Sequence, residues 1–551
     1  MAELVDQLGV ARFGHRPRVG DCFCGGGSIP FEAARIGCEA VASDLNPVAA
    51  LLTWASLNLV GCGKHEQSMV KSAQVAAFDA AQKQIEDWGI ERSEEGWLAE
   101  AYLYCTDFRP GAEGEVIPLS PSWVISEKYR VCGVPQRDPD SGQVVVRVVE
   151  GADDVTWRAA TSGSTATIKG TRVVDPFHSE RTWPLDELRG IQGLRPWAKH
   201  DVSPREDDRL GERLYCIRWR KPDGTRVYRA PTPHDQHVEQ RIEALLRERL
   251  EEWWAAGFVP NAPMPPDGEK TDEPIRTRGW THWHHLFTPR QLLTNGLLCS
   301  ELKKFAKGTP FTAAAALAAQ SCGDWNSRLC RWTPQLARSG GIGALVQTFY
   351  NQALNPLYTY GARPIRQLRD VALLTVGATS EPVATSWVDT IDAREVERTS
   401  DLWVTDPPYA DAVNYDELSG FFLAWSHGRI SDAFPGFYVD PRQALAVRGS
   451  GDDFKRSMVE VYSNLARHMP DNGLQLVMFT HQNPSVWADL GMILWAAGLR
   501  VTAAWTVATE TPAGGIKKGN YVQGTVLLVL RKRLSEEHGF LDEVYPMVED
   551  E

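Results

Sequence analysis

The pattern of apolar and polar residues changes twice along the chain. Residues 17–60 predict the order strand, helix, strand, helix, because short apolar runs alternate there with amphipathic stretches. Between about 100 and 232 the apolar runs are short, as in β-strands, and the Asp-Gly of KPDGT predicts a hairpin. After about 376 the alternation of strands and helices returns, and the runs VTAAWTV and QGTVLLVLRKR predict two final antiparallel strands. The two ends are therefore predicted to be halves of one doubly wound α/β sheet, with about 300 residues between them.

This pattern predicts five segments. The sheet is expected to form from residues 1–64 and 376–535, with a β-rich insertion at 65–265, a helical insertion at 266–375 and a C-terminal tail at 536–551. The β-rich insertion is the candidate for target recognition and DNA contact. A length of 551 residues allows three or four domains of about 150 residues each, or one enlarged α/β domain.

Composition excludes several classes of protein. With 43% hydrophobic and 23% charged residues, the chain is neither disordered nor fibrous. No run of about 18 apolar residues predicts a membrane span, and the polar N-terminus is unlike a secretory signal, so we expect a cytoplasmic protein. The net charge of −13 argues against coating nucleic acid through bulk charge, but it leaves room for a local basic groove.

The cysteines predict no metal site. There are ten, and none forms a C-x-x-C pair, so neither a disulfide framework nor a four-cysteine zinc site is expected. Three histidines in THWHHLF, at 282, 284 and 285, have no paired cysteine or clear carboxylate partner, so packing or phosphate contact is the favoured interpretation.

The first candidate site is a glycine turn. The run DCFCGGG, from Asp21 to Gly27, leads from a predicted strand into a helix, and glycines let a ligand approach the backbone closely. Asp44 ends the next strand, where a carboxylate can accept both hydroxyls of a ribose. The spacing is not G-x-G-x-x-G and there is no G-K-[ST], so a nucleoside ligand is favoured over a triphosphate. The alternative is a tight β-α turn without a ligand.

The second candidate site is the run Asp406-Pro407-Pro408-Tyr409, directly after the apolar strand LWVT. The prolines remove two N–H donors, which leaves a carboxylate, carbonyl oxygens and an aromatic face. This set suits a planar exocyclic amine, which needs two acceptors and a stacking partner. The alternative is a strand-ending turn.

These residues carry a resemblance. DCFCGGGSIPFEAARIGCEAVASDLNP resembles motif I and the following acidic motif of S-adenosylmethionine-dependent DNA amino-methyltransferases, and DPPY resembles their catalytic motif IV. The runs YLYC, PLSPSWVI, ERLYCIRW, TDEPIRTRGWTHWHHLFTPRQLL, DPPYADAVNYDELSGFF and LLVLRKR resemble the large adenine-specific DNA methylases described as containing a zinc ribbon, which often occur in phage-defence gene clusters. The likeness covers nearly the whole chain. It implies a Rossmann-like, seven-stranded class I methyltransferase sheet split by a large insertion.

The sequence departs from that family at two places. TDFRPGAEGEVIPL lacks the paired ribbon cysteines usual near Cys105, so no zinc is expected. The chain also starts about twenty residues before motif I, where family members usually carry a further region, so we expect that region to be absent or supplied by another polypeptide.

The resemblance implies an S-adenosyl-L-methionine site around motif I. Gly25 and Gly27 would lie against the methionine part, with Asp21 and Phe23 in the same motif. Asp44 would hold the ribose, and Asn46 lies next to it in the sequence.

The resemblance implies two further cofactor contacts. Asp392, fourteen residues before Asp406, would meet the adenine amine, with an ordinary loop aspartate as the alternative. Thr288, in FTPRQ, would lie near the methionine end, with a helix N-cap as the alternative.

Asp406, the Pro407 carbonyl and Tyr409, together with Pro408, would receive the target base, which must be flipped out of a duplex. The implied reaction is methylation of an exocyclic amine of double-stranded DNA, with adenine N6 favoured over cytosine N4. The resemblance also implies a protein partner within a defence or restriction-modification-like system, and no membrane contact. Methylation of RNA or of a protein amide, and a non-catalytic DNA-sensing subunit, are the alternatives.

Two segments are candidates for DNA contact. The interval 189–229 holds eleven Lys and Arg against six Asp and Glu, interleaved with Trp197, Tyr215, Trp219 and Tyr228. Lys517 and Lys518 lie in the glycine-rich run TPAGGIKKGN. Solvated surface is the alternative for both segments.

Overall fold

The computed structural model describes most of the chain, in these ranges: 1–111, 115–139, 142–188, 194–335, 340–350, 353–374, 384–408, 415–439, 451–481, 483–508 and 524–534. The chain forms two compact units. The first unit contains Met1–Gly63, Ala378–Ala412 and Gly436–Glu551, and the second contains Lys64–Gly377 and Val413–Pro435.

The first part of the first unit alternates between helix and strand. Its elements are α1 (Ala2–Phe13), β1 (Arg18–Asp21), α2 (Ser28–Arg35), β2 (Glu39–Ser43) and α3 (Pro47–Ala55), which continues into a π-helical turn, Ser56–Val60. The start of α3 is fixed by Asn46, whose side chain accepts the Val48 N–H, and by proline at the first helical position.

The second unit contains thirteen described strands, most of them short. They are β3 (Leu98–Phe108), β4 (Ile117–Leu119), β5 (Val124–Ser126), β6 (Val131–Arg137), β7 (Val144–Val149), β8 (Ile168–Lys169), β9 (Arg172–Val174), β10 (Thr182–Pro184), β11 (Leu210–Arg220), β12 (Arg226–Arg229), β13 (Trp332–Thr333), β14 (Ala344–Leu345) and β15 (Thr359–Ala362). The strands β11 and β12 pair antiparallel, which confirms the hairpin predicted at KPDGT.

The second unit also holds eight described α-helices. They are α4 (Lys64–Trp88), α5 (Asp154–Thr161), α6 (Pro233–Ala256), α7 (Asp272–Arg278), α8 (Pro289–Phe305), α9 (Thr309–Trp325), α10 (Ile365–Ala372) and α11 (Tyr415–Ala433). Several of them enclose the largest apolar cluster, which includes Phe78, Ile242, Leu293 and Trp425.

The remaining elements complete the first unit. They are β16 (Ser386–Asp389), β17 (Leu402–Thr405), α12 (Asp452–Arg467), β18 (Leu474–Phe479), α13 (Pro484–Ala496), β19 (Leu499–Val507) and β20 (Thr525–Lys532).

Seven strands from both ends of the chain form one mixed sheet. Its order is β16-β2-β1-β17-β18-β20-β19. The first five strands in this order pair parallel, and β20 runs antiparallel to both of its neighbours. The prediction of an α/β sheet built from both ends of the chain is thus confirmed, as are the two final antiparallel strands.

Helices cover both faces of this sheet. On one face, α12 buries Met458, Val461, Tyr462 and Leu465, the spacing of one apolar helical stripe, against Trp403 and Val477. On the other face, α2 and the π-helical turn pack Ala34 and Leu57 against Ala40 of β2.

The observed unit boundaries fall close to the predicted segment boundaries, with one difference. The first unit ends at Gly63 and resumes at Ala378, against predicted limits of 64 and 376. Residues 413–435, predicted to belong to the sheet-forming part, lie in the second unit, because α11 packs Leu418, Phe421 and Trp425 into that unit's core.

Candidate functional site

The sheet of the first unit contains a topological switch point. From β1 the chain continues to β2 on one side, whereas β17 is followed by β18 on the other side. In open α/β sheets, ligands bind outside the carboxyl ends of the strands at such a point. Asp21 of β1 pairs in register with Ala42 of β2, and Gly20 pairs with Trp403 of β17. The residues that follow β1, β2 and β17 therefore lie along one edge of the sheet.

The glycine turn after β1 has a backbone that favours glycine at two positions. Gly25 and Gly27 have φ angles of 50° and 83°, in the left-handed region. A Cβ at Gly27 would lie 2.8 Å from Cα of Thr53 on α3, whereas a Cβ at Gly26 would meet no atom within 4 Å. The turn is thus closed towards α3 at Gly27 and open at Gly26.

Thr53 of α3 contacts this turn. Its hydroxyl lies 3.1 Å from the Gly25 carbonyl oxygen and 3.2 Å from Cys24 Sγ, and its side chain is fully buried. Sequence reasoning missed Thr53. The available signal was a hydroxyl residue within the apolar stretch NPVAALLTWA.

Asp44 joins the glycine turn to the end of β2. Its Oδ2 accepts the Gly25 N–H at 2.9 Å, and its Oδ1 accepts the Asn46 N–H at 2.9 Å. Burial raises the pKa of this half-buried carboxyl, and each oxygen keeps capacity for a further hydrogen bond. Asp44 can therefore hold the turn and still accept hydrogen bonds from ligand hydroxyls.

Asp21 lies behind the turn and is 2% exposed. Its Oδ1 accepts the Phe23 N–H at 3.0 Å. The pKa of Asp21 is raised to about 8, mainly by burial and in smaller part by the negative charges of Asp44 and Asp406. Asp21 is therefore mainly protonated at neutral pH, so it can donate a hydrogen bond.

Asp406 and the two prolines follow β17 on the same edge. Asp406 is exposed, Pro407 is buried and Pro408 is half-buried. Neither proline has an N–H, so the segment offers a carboxylate and carbonyl acceptors. Tyr409, the predicted stacking partner, lies outside the described residues.

Asp392 follows β16, beside β2, and begins a short 3₁₀ turn, Ala393–Glu395. It is 4% exposed; Oδ1 accepts the backbone N–H of Arg394 at 2.9 Å, and Oδ2 lies 2.6 Å from the Arg394 guanidinium. These contacts fit the alternative of a loop aspartate with a local structural role. The predicted contact with an adenine amine stays a prediction.

Thr288 lies in the second unit as the N-cap of α8. Its side chain accepts the Gln291 N–H, and the Gln291 side chain accepts the Thr288 N–H, so the two form a capping box. The helix-cap alternative is confirmed. The predicted cofactor contact of Thr288 stays a prediction.

The prediction that aromatic side chains of the interval 189–229 contact DNA is wrong. Trp197, Tyr215, Trp219 and Tyr228 are each at most 6% exposed and belong to apolar clusters, so they are not available for stacking on bases. Several arginines of the interval are paired with carboxylates: Arg195 with Asp201 and Asp208, Arg213 with Asp107, and Arg218 and Arg226 with Glu100. Lys517 and Lys518 lie outside the described residues.

The histidines of THWHHLF have different surroundings. His284 and His285 are fully buried, which confirms the packing interpretation for both, and burial lowers the pKa of His284 to about 3. Within the described ranges, no three His, Cys, Asp or Glu side chains are arranged to hold a metal ion, and all ten cysteines are free thiols. In the same ranges, no helix is both long enough and apolar enough to cross a bilayer.

Comparison with known proteins adds no assignment. No protein-family model matches the chain, and no curated protein matches it.

Proposed function

We propose that this protein transfers a methyl group from S-adenosyl-L-methionine to an exocyclic amine of a base in duplex DNA, with adenine N6 as the favoured acceptor. One observation carries the proposal. The glycine turn, Asp44 and the segment Asp406–Pro408 follow three neighbouring parallel strands and lie along one edge of the sheet, at its switch point. The number of strands in the sheet, seven, also agrees with the class I methyltransferase sheet that the sequence resemblance implies.

The residues present fit the proposed cofactor. The open position at Gly26 gives a ligand access to backbone that a side chain would otherwise cover. Asp44 keeps acceptor capacity for ribose hydroxyls, and its contact with Gly25 couples that capacity to the shape of the turn. When bound, S-adenosylmethionine supplies a methyl group already activated by its sulfonium.

The protein's own contribution is alignment and hydrogen-bond acceptance. Asp406 and the Pro407 carbonyl would accept the two hydrogens of the amine, which turns the nitrogen lone pair out of conjugation and towards the methyl carbon. Because a paired base cannot reach this edge, the target base must leave the stack at a cost of a few kcal/mol. Stacking of the flipped base on Tyr409 is proposed to offset roughly 1–3 kcal/mol of that cost.

Duplex DNA as the substrate, adenine N6 as the acceptor and a role in phage defence all rest on the sequence resemblance. A protein partner is part of the same proposal, and the net charge of −13 supports one, since the chain has little bulk attraction for DNA. Purification of the protein from its native host should recover a complex. Recovery as a monomer would contradict the proposed partner.

The test is transfer of labelled methyl from S-adenosylmethionine to unmethylated duplex DNA, with RNA and protein acceptors beside it. The wild type and Asp453→Ala, which removes an exposed carboxylate elsewhere in the first unit, should label DNA. Asp406→Ala should lose transfer while still binding the cofactor, measured by calorimetry. Nucleoside analysis of the labelled DNA separates adenine N6 from cytosine N4.

Three outcomes would contradict the proposal. Label confined to RNA or protein would refute the substrate, and equal activity of Asp406→Ala would refute the catalytic segment. Cofactor binding without label in any acceptor would favour a non-catalytic sensing subunit.

A further inference from the structure

A groove of about 720 Å³ lies in the first unit, beside α12. Its walls are one face of α12, the turn between α13 and β19, the end of β20 and Arg394. At this end of β20, Lys532 pairs with Leu499, the first residue of β19, and Leu530 lies opposite Gln475 at the start of β18. The groove therefore extends to the amino edge of the parallel strands, whereas Asp406 lies at the carboxyl edge.

Four cationic side chains from separate parts of the chain line this groove. They are Arg394, Arg467, Lys532 and Arg533, and Glu460 is the one carboxylate among the lining residues. Counting Asp392 and Asp471, which pair with two of these cations, the groove has four cations against three carboxylates, a local positive excess in a protein of net charge −13. A concave surface lined by one sign of charge concentrates ligands of the opposite sign.

The four cations are not equally engaged. Arg394 lies 2.6 Å from Asp392, and Lys532 lies 3.1 Å from Asp471. Arg467 and Arg533 are exposed, and no carboxylate among the described residues lies within 4.0 Å of either guanidinium. Within the described part of the chain, these two are therefore the lining cations whose charge no carboxylate compensates.

Both available guanidiniums are held in place without a carboxylate. Arg533 lies over the ring of Trp495 at 4.5 Å, and Trp495 is 63% exposed. Arg467 donates to Asn464 Oδ1 at 3.1 Å. Each guanidinium has five N–H donors, so donors remain for the oxygens of a phosphate, which arginine binds in a fork geometry.

The uncharged lining residues bear on which polyanion fits. Ser463, Ala466, Ala497 and Gly498 are small, Val459 and Leu534 are aliphatic, and no aromatic side chain is among the lining residues. Protein partners depend on buried aromatic or aliphatic anchors, whereas sequence-independent affinity for DNA is almost wholly electrostatic.

We propose that this groove binds the phosphate backbone of duplex DNA, through residues other than those proposed to accept the amine. The choice of DNA rests on the proposed function, and the groove itself rests on the arginines above. The alternative occupant is an acidic polypeptide, for which the sequence offers one candidate: the seventeen residues after Leu534 contain seven Asp and Glu and no Lys or Arg.

The test is binding of a fluorescent 24-base-pair duplex to the full chain over a range of salt concentrations, read by anisotropy. Each lost phosphate contact reduces the slope of log K against log salt by about 1. Arg467→Ala/Arg533→Ala should therefore reduce that slope by about 2 and weaken binding equally for unrelated duplex sequences. Arg467→Lys/Arg533→Lys keeps both charges and should keep the slope.

The matched control is Arg16→Ala/Arg35→Ala, which removes the same charge from two exposed arginines of the first unit that are paired with Asp6 and Glu32. It should leave the slope unchanged. An alanine double variant with the wild-type slope, or one no weaker than this control, would overturn the proposal and favour the acidic segment. Because the readout is binding, a reduced slope would support the groove even if methyl transfer failed, and an unchanged slope with intact transfer would refute the groove alone.

Discussion

Replacing Gly27 by alanine should destabilise the first unit, whereas the same replacement at Gly26 should not. Gly27 has a φ of 83°, and a Cβ there would lie 2.8 Å from Cα and Oγ1 of Thr53 and 2.9 Å from Oγ of Ser56. The Thr53 Cα belongs to the backbone of α3, so it cannot rotate away. A Cβ at Gly26 meets no atom within 4 Å, and Gly26 is not in the left-handed region.

The size of this destabilisation follows from the left-handed φ of Gly27 and from the close contacts that its Cβ would make. An alanine in the left-handed region costs about 1–2 kcal/mol, and overpacking a methyl against fixed neighbours costs about 1–3 kcal/mol. Gly27→Ala should therefore lower the free energy of unfolding by about 2–5 kcal/mol, which is roughly 4–20 °C in the melting temperature of a unit of about 200 residues. Gly26→Ala should stay within about 0.5 kcal/mol, or roughly 2 °C.

Scanning calorimetry of the two full-length variants measures these shifts. With two compact units, melting temperatures are compared rather than a single free energy. The same samples test the ligand, because Gly26→Ala would place a methyl where we propose that S-adenosylmethionine approaches, and it should weaken cofactor binding without a change in stability. Equal melting temperatures for the two variants would refute the steric reasoning. Wild-type cofactor affinity in Gly26→Ala would refute the proposed approach at this turn.

Three further predictions concern single side chains. Burial raises the pKa of Asp21 to about 8, from an ordinary value of about 3.9, so folding takes up a proton between these two pH values. The stability of the fold should therefore fall as the pH rises from 4 to 8. Asp21→Asn should flatten this fall, as read from the melting temperature measured against pH. Thr288→Ala should cost about 1 kcal/mol through loss of the α8 cap, and Thr288→Ser should restore it, as read by calorimetry; no loss in the alanine variant would contradict the cap. Glu212→Ala should lower the free energy of unfolding, measured by chemical denaturation, by about 3–5 kcal/mol, because it leaves Arg328, 1% exposed, without its carboxylate. A decrease below about 1 kcal/mol would contradict a structural role for this pair.

The sequence predicted those parts of the fold that depend on local pattern. Strands with apolar runs and helices with one apolar stripe were recognised at both ends of the chain, and α12 shows why: its buried residues recur at the spacing of one helical face. The common edge of the glycine turn, Asp44 and Asp406 also followed, because the carboxyl ends of parallel strands meet at one edge.

Features that depend on distant partners were not predictable in this way. α11 begins six residues after Tyr409, but its apolar residues complete a core formed mainly by helices more than 100 residues earlier. The contact of Asp392 with Arg394 is local, but the sequence does not show it, because an aspartate two residues before an arginine can equally be free to accept a hydrogen bond from a ligand. Thr53 required knowledge of how α3 lies against the glycine turn.

The distribution of paired charges explains why the predicted DNA-contacting segment and the proposed groove lie at different places. A count over 189–229 gives an excess of cations, but Glu100 and Asp107, about 100 residues away, neutralise arginines of β11 and β12. In a chain with 71 acidic and 58 basic residues, a cation has many potential partners, so local composition says little about the field that a ligand meets. Arg467 and Arg533 differ because an amide and an aromatic ring contact them, and no carboxylate among the described residues compensates their charge. For this acidic protein, the pairing state of each arginine is therefore a better guide to polyanion binding than the number of arginines in a segment.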